Sequence, residues 1–177
     1  MNKDEEFEDE FEDDDEFIDD GTIDWDDPLG IKAAMNQPFY EKAIQVKDLL
    51  HGCKNLEEGQ ENSKTFSKMF NPIVQNSMIL NIIIGQSYAF KLYDEKMTAM
   101  ARAREHCVWL SKAINDYFEY LPKTDINQKM YRLVHEEMHD FQLAFIAEVN
   151  SYKTCDYVPD PWGVFNPPGV DSADFYS

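Results

Sequence analysis

His135, Glu136 and His139 form the pattern His-Glu-x-x-His, the set of residues in this chain whose types and spacing most suggest catalysis. Residues four apart on an α-helix share a face, so both imidazoles could hold one Zn²⁺ ion, with Glu136 as general base for a bound water. A catalytic zinc needs a third protein ligand. A common continuation of the motif has Gly and His where this chain has Gln142 and Phe145. The pattern therefore offers a metal-dependent hydrolase only as an alternative function, and we expect no metal and no cofactor.

Glu136 and His139 also fit the Glu-x-x-His half-site of di-iron helical bundles. Such centres need a second half-site and two further glutamates. The remaining candidate, His106, is preceded three residues earlier by Ala103 and not by an acid. The sequence thus lacks the second half of a di-iron centre.

The three cysteines, Cys53, Cys107 and Cys155, are odd in number and far apart in sequence. They predict neither a disulfide framework nor a Cys-x-x-Cys site, and free thiols are typical of a reducing compartment. The acidic start lacks the basic and apolar regions of a secretory signal. The most apolar run, residues 78–84, is too short to cross a membrane. We expect a soluble, cytoplasmic, non-enzymatic protein.

Charge is segregated along the chain. Residues 1–27, called the arm from here on, hold 16 Asp or Glu and one Lys, a net charge of −15 out of −19 for the whole chain. Residues 28–153 hold 15 acidic and 15 basic side chains, and residues 154–177 add four Asp. Charge of one sign concentrated outside a neutral body bears on partners more than on fold.

Isolated apolar residues interrupt the acids of the arm. A chain of this composition cannot bury enough apolar surface to order itself, so we expect a disordered arm. Carboxylates can steer it to a basic protein surface while each ring fills a pocket, and the target could be a site that otherwise holds nucleic acid. The charge of the arm opposes direct binding to DNA or RNA. The predicted partner-binding residues are Phe7, Phe11, Phe17, Ile18 and Trp25.

Helical periodicity fills the chain between the arm and the tail. After a connector at residues 28–36, apolar residues recur at spacings of three and four in four segments. The second segment is apolar nearly all round, as expected of an enclosed helix. The predicted helices begin at Pro38, near Asn71-Pro72, at Asp94 and after Thr124, and they end near Cys53, Leu92, Leu121 and Tyr152.

These patterns predict an all-α protein, an up-and-down four-helix bundle over residues 28–155. The arm, residues 1–27, precedes the bundle. Residues 156–177 form a tail rich in proline and aromatic residues, which we expect to be extended because proline excludes a regular helix there.

Two sets of residues carry a family resemblance, namely Ser77, Asn81, Ile82 and Gly85 in the second predicted helix and Ala99, Ala103, Glu105, Trp109 and Leu110 in the third. They resemble motifs of the bacterial four-helix-bundle proteins found in intervening sequences of large-subunit ribosomal RNA genes. That family includes the accessory variability proteins of diversity-generating retroelements. The resemblance covers residues 38–120 and implies a bundle in a cyclic homo-oligomer. It also implies a second alternative function, association with nucleic acid or a reverse transcriptase. Ile84 stands where the family has Glu. The Arg-rich segment that leads into the second helix in the family is absent from this chain.

Overall fold

The computed structural model describes residues 27, 30–57, 63–158 and 166–170. The described part is all-α, as predicted, and it contains no strand, only an isolated bridge between Leu92 and Asp156. A short 3₁₀ turn, Tyr152–Thr154, follows the last helix. The helices are α1 (Ile31–Ala34), α2 (Pro38–Glu57), α3 (Ser63–Ser87), α4 (Tyr93–Tyr120) and α5 (Asp125–Ser151).

The connector predicted at residues 28–36 is wrong in part, because Ile31–Ala34 form one helical turn. The helix α2 begins at Pro38 as predicted, where a fixed φ and a missing N–H cost nothing. Its predicted stripe is buried at every position. The helix continues past Gly52 to Glu57, so Gly52 does not end it. The buried stripe consists of Phe39, Ala43, Val46, Leu50 and Cys53.

The predicted start of α3 at Asn71-Pro72 is wrong, because the helix begins at Ser63 and Pro72 lies inside it. Proline removes one backbone hydrogen bond and is usually costly within a helix. Here Phe70 and Ile73, both fully buried, hold the chain on either side of it. Phe70 packs on Tyr117 of α4 with ring centroids 4.6 Å apart. Tertiary burial therefore outweighs the local signal.

The middle of α3 is not enclosed on all sides, contrary to prediction. Leu80 and Ile84 are buried, but Met78, Ile79 and Ile82 lie exposed on the opposite side of the helix. Each helix keeps a solvent-facing side in this arrangement, so an apolar composition alone did not determine burial.

The ends of α4 and α5 agree with the sequence. The helix α4 stops at Tyr120, two residues before Pro122. Thr124 caps α5, since its hydroxyl accepts a hydrogen bond from the Asn127 N–H at 3.2 Å. This satisfies one of the free N–H groups at the start of the helix.

Helix α2 packs against α3 and α5, and α3 packs against α4. Buried Asn81 on α3 donates to the Ala43 carbonyl of α2 at 3.1 Å, which joins these helices through a polar contact. Phe39 of α2 stacks on Phe141 of α5, with centroids 5.4 Å apart. Contact between α4 and α5 is much smaller than in the other pairs, so their facing surfaces are only partly closed.

Asp27, the last residue of the arm, and Gly30 both contact the helices. The Asp27 carboxylate accepts a hydrogen bond from the Ala33 N–H at 2.9 Å. Gly30 has φ 64°, a conformation that favours glycine, and its α-carbon faces the backbone of Gly85 and Ala89. The arm therefore leaves the helices at the C-terminal end of α3.

Directly after α5, the chain contacts the start of α4. The Tyr93 N–H donates to the Asp156 carbonyl at 2.7 Å, which ties the start of α4 to the segment after the 3₁₀ turn. Asn166 and Pro167 are buried. No helix in the described ranges has the length and apolar character needed to cross a membrane.

Candidate functional site

The predicted partner-binding residues of the arm lie outside the described residues. Their role therefore stays a prediction. The residues concerned are Phe7, Phe11, Phe17, Ile18 and Trp25.

His135, Glu136 and His139 lie on α5 with exposed side chains. The Nε2 atom of His135 is 2.8 Å from Oδ1 of Asn115 on α4, and its ring meets the edge of Tyr131 at 4.4 Å between centroids. The spacing did predict a shared face, because His135 and His139 line the same depression between α4 and α5. Glu136 is not among its lining residues.

A third metal ligand does not accompany the two imidazoles. Within the part of the chain that the structure describes, no three His, Cys, Asp or Glu side chains are grouped as a metal ion requires. His135 lies within hydrogen-bond distance of Asn115, and Glu136 does not line the cavity that contains the imidazoles. The donor set shown is thus two imidazoles, short of the three protein ligands of a catalytic zinc.

A groove lies between α4 and α5, with a cavity of about 510 Å³ at one end. A smaller cavity of about 190 Å³ adjoins it and contains His135 and His139. Ser111, Met138 and Gln142 line both cavities, so the two form one continuous groove. The other residues along it are Arg104, Cys107, Val108, Ile114, Phe141, Phe145 and Ile146.

The groove exists because the α4 residues that face α5 have short side chains. Cys107 and Ser111 are small residues on the part of α4 that faces α5, whereas α5 presents Met138 and Phe145. Val108 and Ile146 stand at the rims with 60% and 51% of their surface exposed. Apolar side chains at this exposure, next to a cleft, are typical of a surface that binds another chain.

Among the described residues, the groove has one cationic side chain, Arg104, which lines its wider end. The imidazoles of His135 and His139 line its narrower end, and in the same part of the chain no carboxylate lines either cavity. The groove therefore suits an apolar ligand that carries negative charge.

Cys107 is a hydrophobic part of the groove wall and not a nucleophile. Burial raises the pKa of its thiol to about 12, so the thiol is protonated at neutral pH. Cys107 also stands at apolar spacing in α4, four residues after Ala103 and three before Leu110.

Two tyrosines with displaced pKa values lie elsewhere, near the C-terminal ends of α3 and α5. Burial raises the pKa of Tyr88 and the pKa of Tyr152, and the negative charge of Glu148 adds to both shifts. Lys96 of α4 lies 5.1 Å from the centre of the Tyr152 ring.

Sequence reasoning missed the groove. An apolar stripe shows which residues face inward but not whether the next helix closes over them. One signal in the sequence could have indicated it. Val108 and Ile146 are apolar residues that stand next to the apolar stripes of α4 and α5 and not within them.

The chain matches no protein-family model, no curated protein and no solved structure. The resemblance to the intervening-sequence bundle family therefore stays a prediction. Within it, Ser77 and Asn81 are buried polar residues of α3, and Gly85 contacts the Gly30 segment.

Proposed function

We propose that the protein is a non-enzymatic adaptor, in which an up-and-down four-helix bundle presents the acidic arm to a basic protein surface. The observation that carries this proposal is the charge segregation, a net −15 in residues 1–27 against zero in residues 28–153. Such a distribution steers association toward a basic partner without requiring charge on the body.

The proposed bundle architecture is supported by pairs that join early positions of one helix to later positions of a neighbouring helix. Phe39 near the start of α2 contacts Phe145 near the end of α5, at 5.7 Å between centroids. Phe70 of α3 meets Tyr117 late in α4. Lys42 of α2 forms an ion pair with Glu137 of α5 at 3.1 Å. These pairings fit helices that alternate in direction.

The apolar residues of the arm would distinguish specific recognition of a partner from attraction by charge alone. A chain that served only as a solubilising tail would not need Phe7, Phe11, Phe17, Ile18 and Trp25. Acids with interspersed rings have the charge and the stacking groups of a single-stranded nucleic acid, so the nucleic-acid-binding site of a partner protein is a natural target.

A pull-down tests the proposal, with full-length protein as bait and the heparin-retained proteins of the native host as prey. Heparin selects basic surfaces of the proposed kind. The critical variant replaces Phe7, Phe11, Phe17, Ile18 and Trp25 with Ser and keeps every charge. It should lose the prey that the wild type captures, and added single-stranded RNA should release that prey from the wild type.

A matched variant separates charge from recognition. Replacing Asp13, Asp14 and Asp15 with Asn keeps every ring and removes three charges. Its capture should weaken and become less salt-sensitive, because fewer screened contacts form. Equal capture by the ring variant and the wild type would contradict recognition by the arm.

A metal-dependent hydrolase is the second candidate function. The observation that favours it is that His135 and His139 line one cavity. Glu136 completes the motif in sequence, but it does not line that cavity.

A further inference from the structure

We propose that the groove between α4 and α5 is a docking site for the arm of the same chain. The arm would lie in the groove in the free protein and would leave it when a basic partner competes. Docking in the groove does not depend on partner capture, so each can hold without the other.

The first argument is chemical complementarity. The groove offers Val108 and Ile146 as exposed apolar rims and Arg104 as a cation, and none of the carboxylates in the described ranges lines it. The arm offers the opposite charge with apolar side chains between the acids. A segment of this kind can insert its rings between the rims while its carboxylates face Arg104.

The second argument is reach. The arm leaves the body at Asp27 and Gly30, beside the last turn of α3. Arg104 lies 11 residues from the start of α4, about 17 Å along the helix axis, and Ile146 lies within about 8 Å of the end of α5. The nine residues from Ile18 to Asp27 can extend about 30 Å, far enough to bring Ile18 to the nearer end of the groove.

The third argument is spacing. On a helix, Phe7, Phe11 and Ile18 would fall within about 40° of one another and span about 17 Å. The groove-lining part of α5, from His135 to Ile146, also spans 11 residues and about 17 Å. An amphipathic segment whose anchors match the length of a groove is a common mode of peptide binding.

A second copy of the body is the weaker candidate occupant. It would bring a second Arg104 against the first, whereas the arm brings the opposite charge. Tethering also favours the arm, because a linked segment has an effective concentration on the order of millimolar.

Amide hydrogen exchange on the full-length protein, with millisecond mixing, tests the proposal. In the wild type, amides between Phe7 and Ile18 should exchange about tenfold more slowly than in an unstructured chain, if docking is favoured about ten to one. Ile146→Glu places a carboxylate in the groove and should abolish this protection. Leu143→Glu is the matched control, because Leu143 has 54% of its surface exposed on the same helix but does not line the groove. It should keep the protection.

A reciprocal measurement tests how accessible the groove is after the arm is changed. In a Val108→Cys variant, which places an exposed thiol at the rim, replacing Phe7, Phe11 and Ile18 with Ser should speed alkylation of the introduced thiol by N-ethylmaleimide several-fold. Cys155 lies outside the groove and should react at an unchanged rate, which gives an internal reference.

Arm amides that exchange at unprotected rates in the wild type would overturn the proposal, as would protection that survives Ile146→Glu. Protection that disappears on dilution, together with a dimer in analytical ultracentrifugation, would also overturn docking within one chain. If the pull-down fails while the arm amides remain protected from exchange, the result contradicts the adaptor function and leaves docking in the groove supported.

Discussion

Gly30 packs closely against the backbone of Gly85, and this contact leaves no room for a side chain on Gly30. A Cβ atom there would overlap the Gly85 carbonyl oxygen and lie 2.7 Å from the backbone nitrogen of Ala89. Since the positive φ of Gly30 is itself unfavourable for other residues, this contact fixes where the arm leaves the helices.

Gly30→Ala should lower the free energy of unfolding by about 2 kcal/mol or more, because the added methyl meets rigid backbone and the φ is strained. Gly52→Ala is the matched control. Gly52 lies within α2 with open space around its α-carbon, so this change should raise stability by about 0.5–1 kcal/mol. Urea unfolding followed by circular dichroism measures both. Equal effects of the two substitutions would refute the close approach.

The Asp27 carboxylate should make the stability of the folded protein sensitive to acid. Burial raises the pKa of the Asp27 carboxyl, but hydrogen bonds from the backbone N–H groups of Ala33, Lys32 and Ile31 outweigh it and hold the pKa below 3.8. The ionised form is therefore favoured in the folded state. Its stabilising effect is present above pH 3.8 and is lost as the pH falls through the lower folded value.

Asp27→Asn tests that effect. The wild type should be more stable than the variant at pH 6, and the difference should shrink as the pH is lowered below 3.8. Urea unfolding at both pH values measures it. A difference that is constant with pH would show that the charge of Asp27 is not involved.

Tyr88 and Tyr152 should limit stability at high pH. Both have pKa values raised above 10 in the folded protein, so the neutral phenols are favoured there. The resulting stability is complete below pH 10 and falls as the pH rises above it, because the unfolded chain then loses protons first. Thermal unfolding from pH 8 to 11 should show this fall, and Tyr152→Phe should make it shallower. An unchanged slope in Tyr152→Phe would contradict the assignment.

His135 and His139 give a direct test of the second candidate function. The adaptor proposal predicts that protein purified in zinc-containing buffer and then desalted retains no stoichiometric zinc. Elemental analysis by mass spectrometry measures this. Stoichiometric zinc that disappears in His135→Ala would favour the hydrolase instead.

The apolar stripes of α2 and α4 were predictable from sequence because strict spacings of three and four leave one face to bury. Phe39, Val46 and Leu50 on α2, and Leu110 and Ile114 on α4, are all buried. The start of α3 was not predictable in the same way. Asn-Pro is a strong local sign of a helix start, and only the distant contact of Phe70 with Tyr117 explains why the helix runs through it.

The candidate site was predictable only in fragments. The four-residue spacing placed His135 and His139 on one face, which the structure confirms. The bond between His135 and Asn115, and the gap left by Cys107 and Ser111, depend on how α4 and α5 approach each other. A single sequence contains no such distance information.

The most direct test of the central claim compares the full-length protein with a variant that lacks residues 1–27, using the heparin-retained prey at low salt. The account predicts that the deletion abolishes capture and leaves the helical circular dichroism of the body unchanged. Capture that persists after the deletion, with helicity intact, would show that the arm is not the binding element.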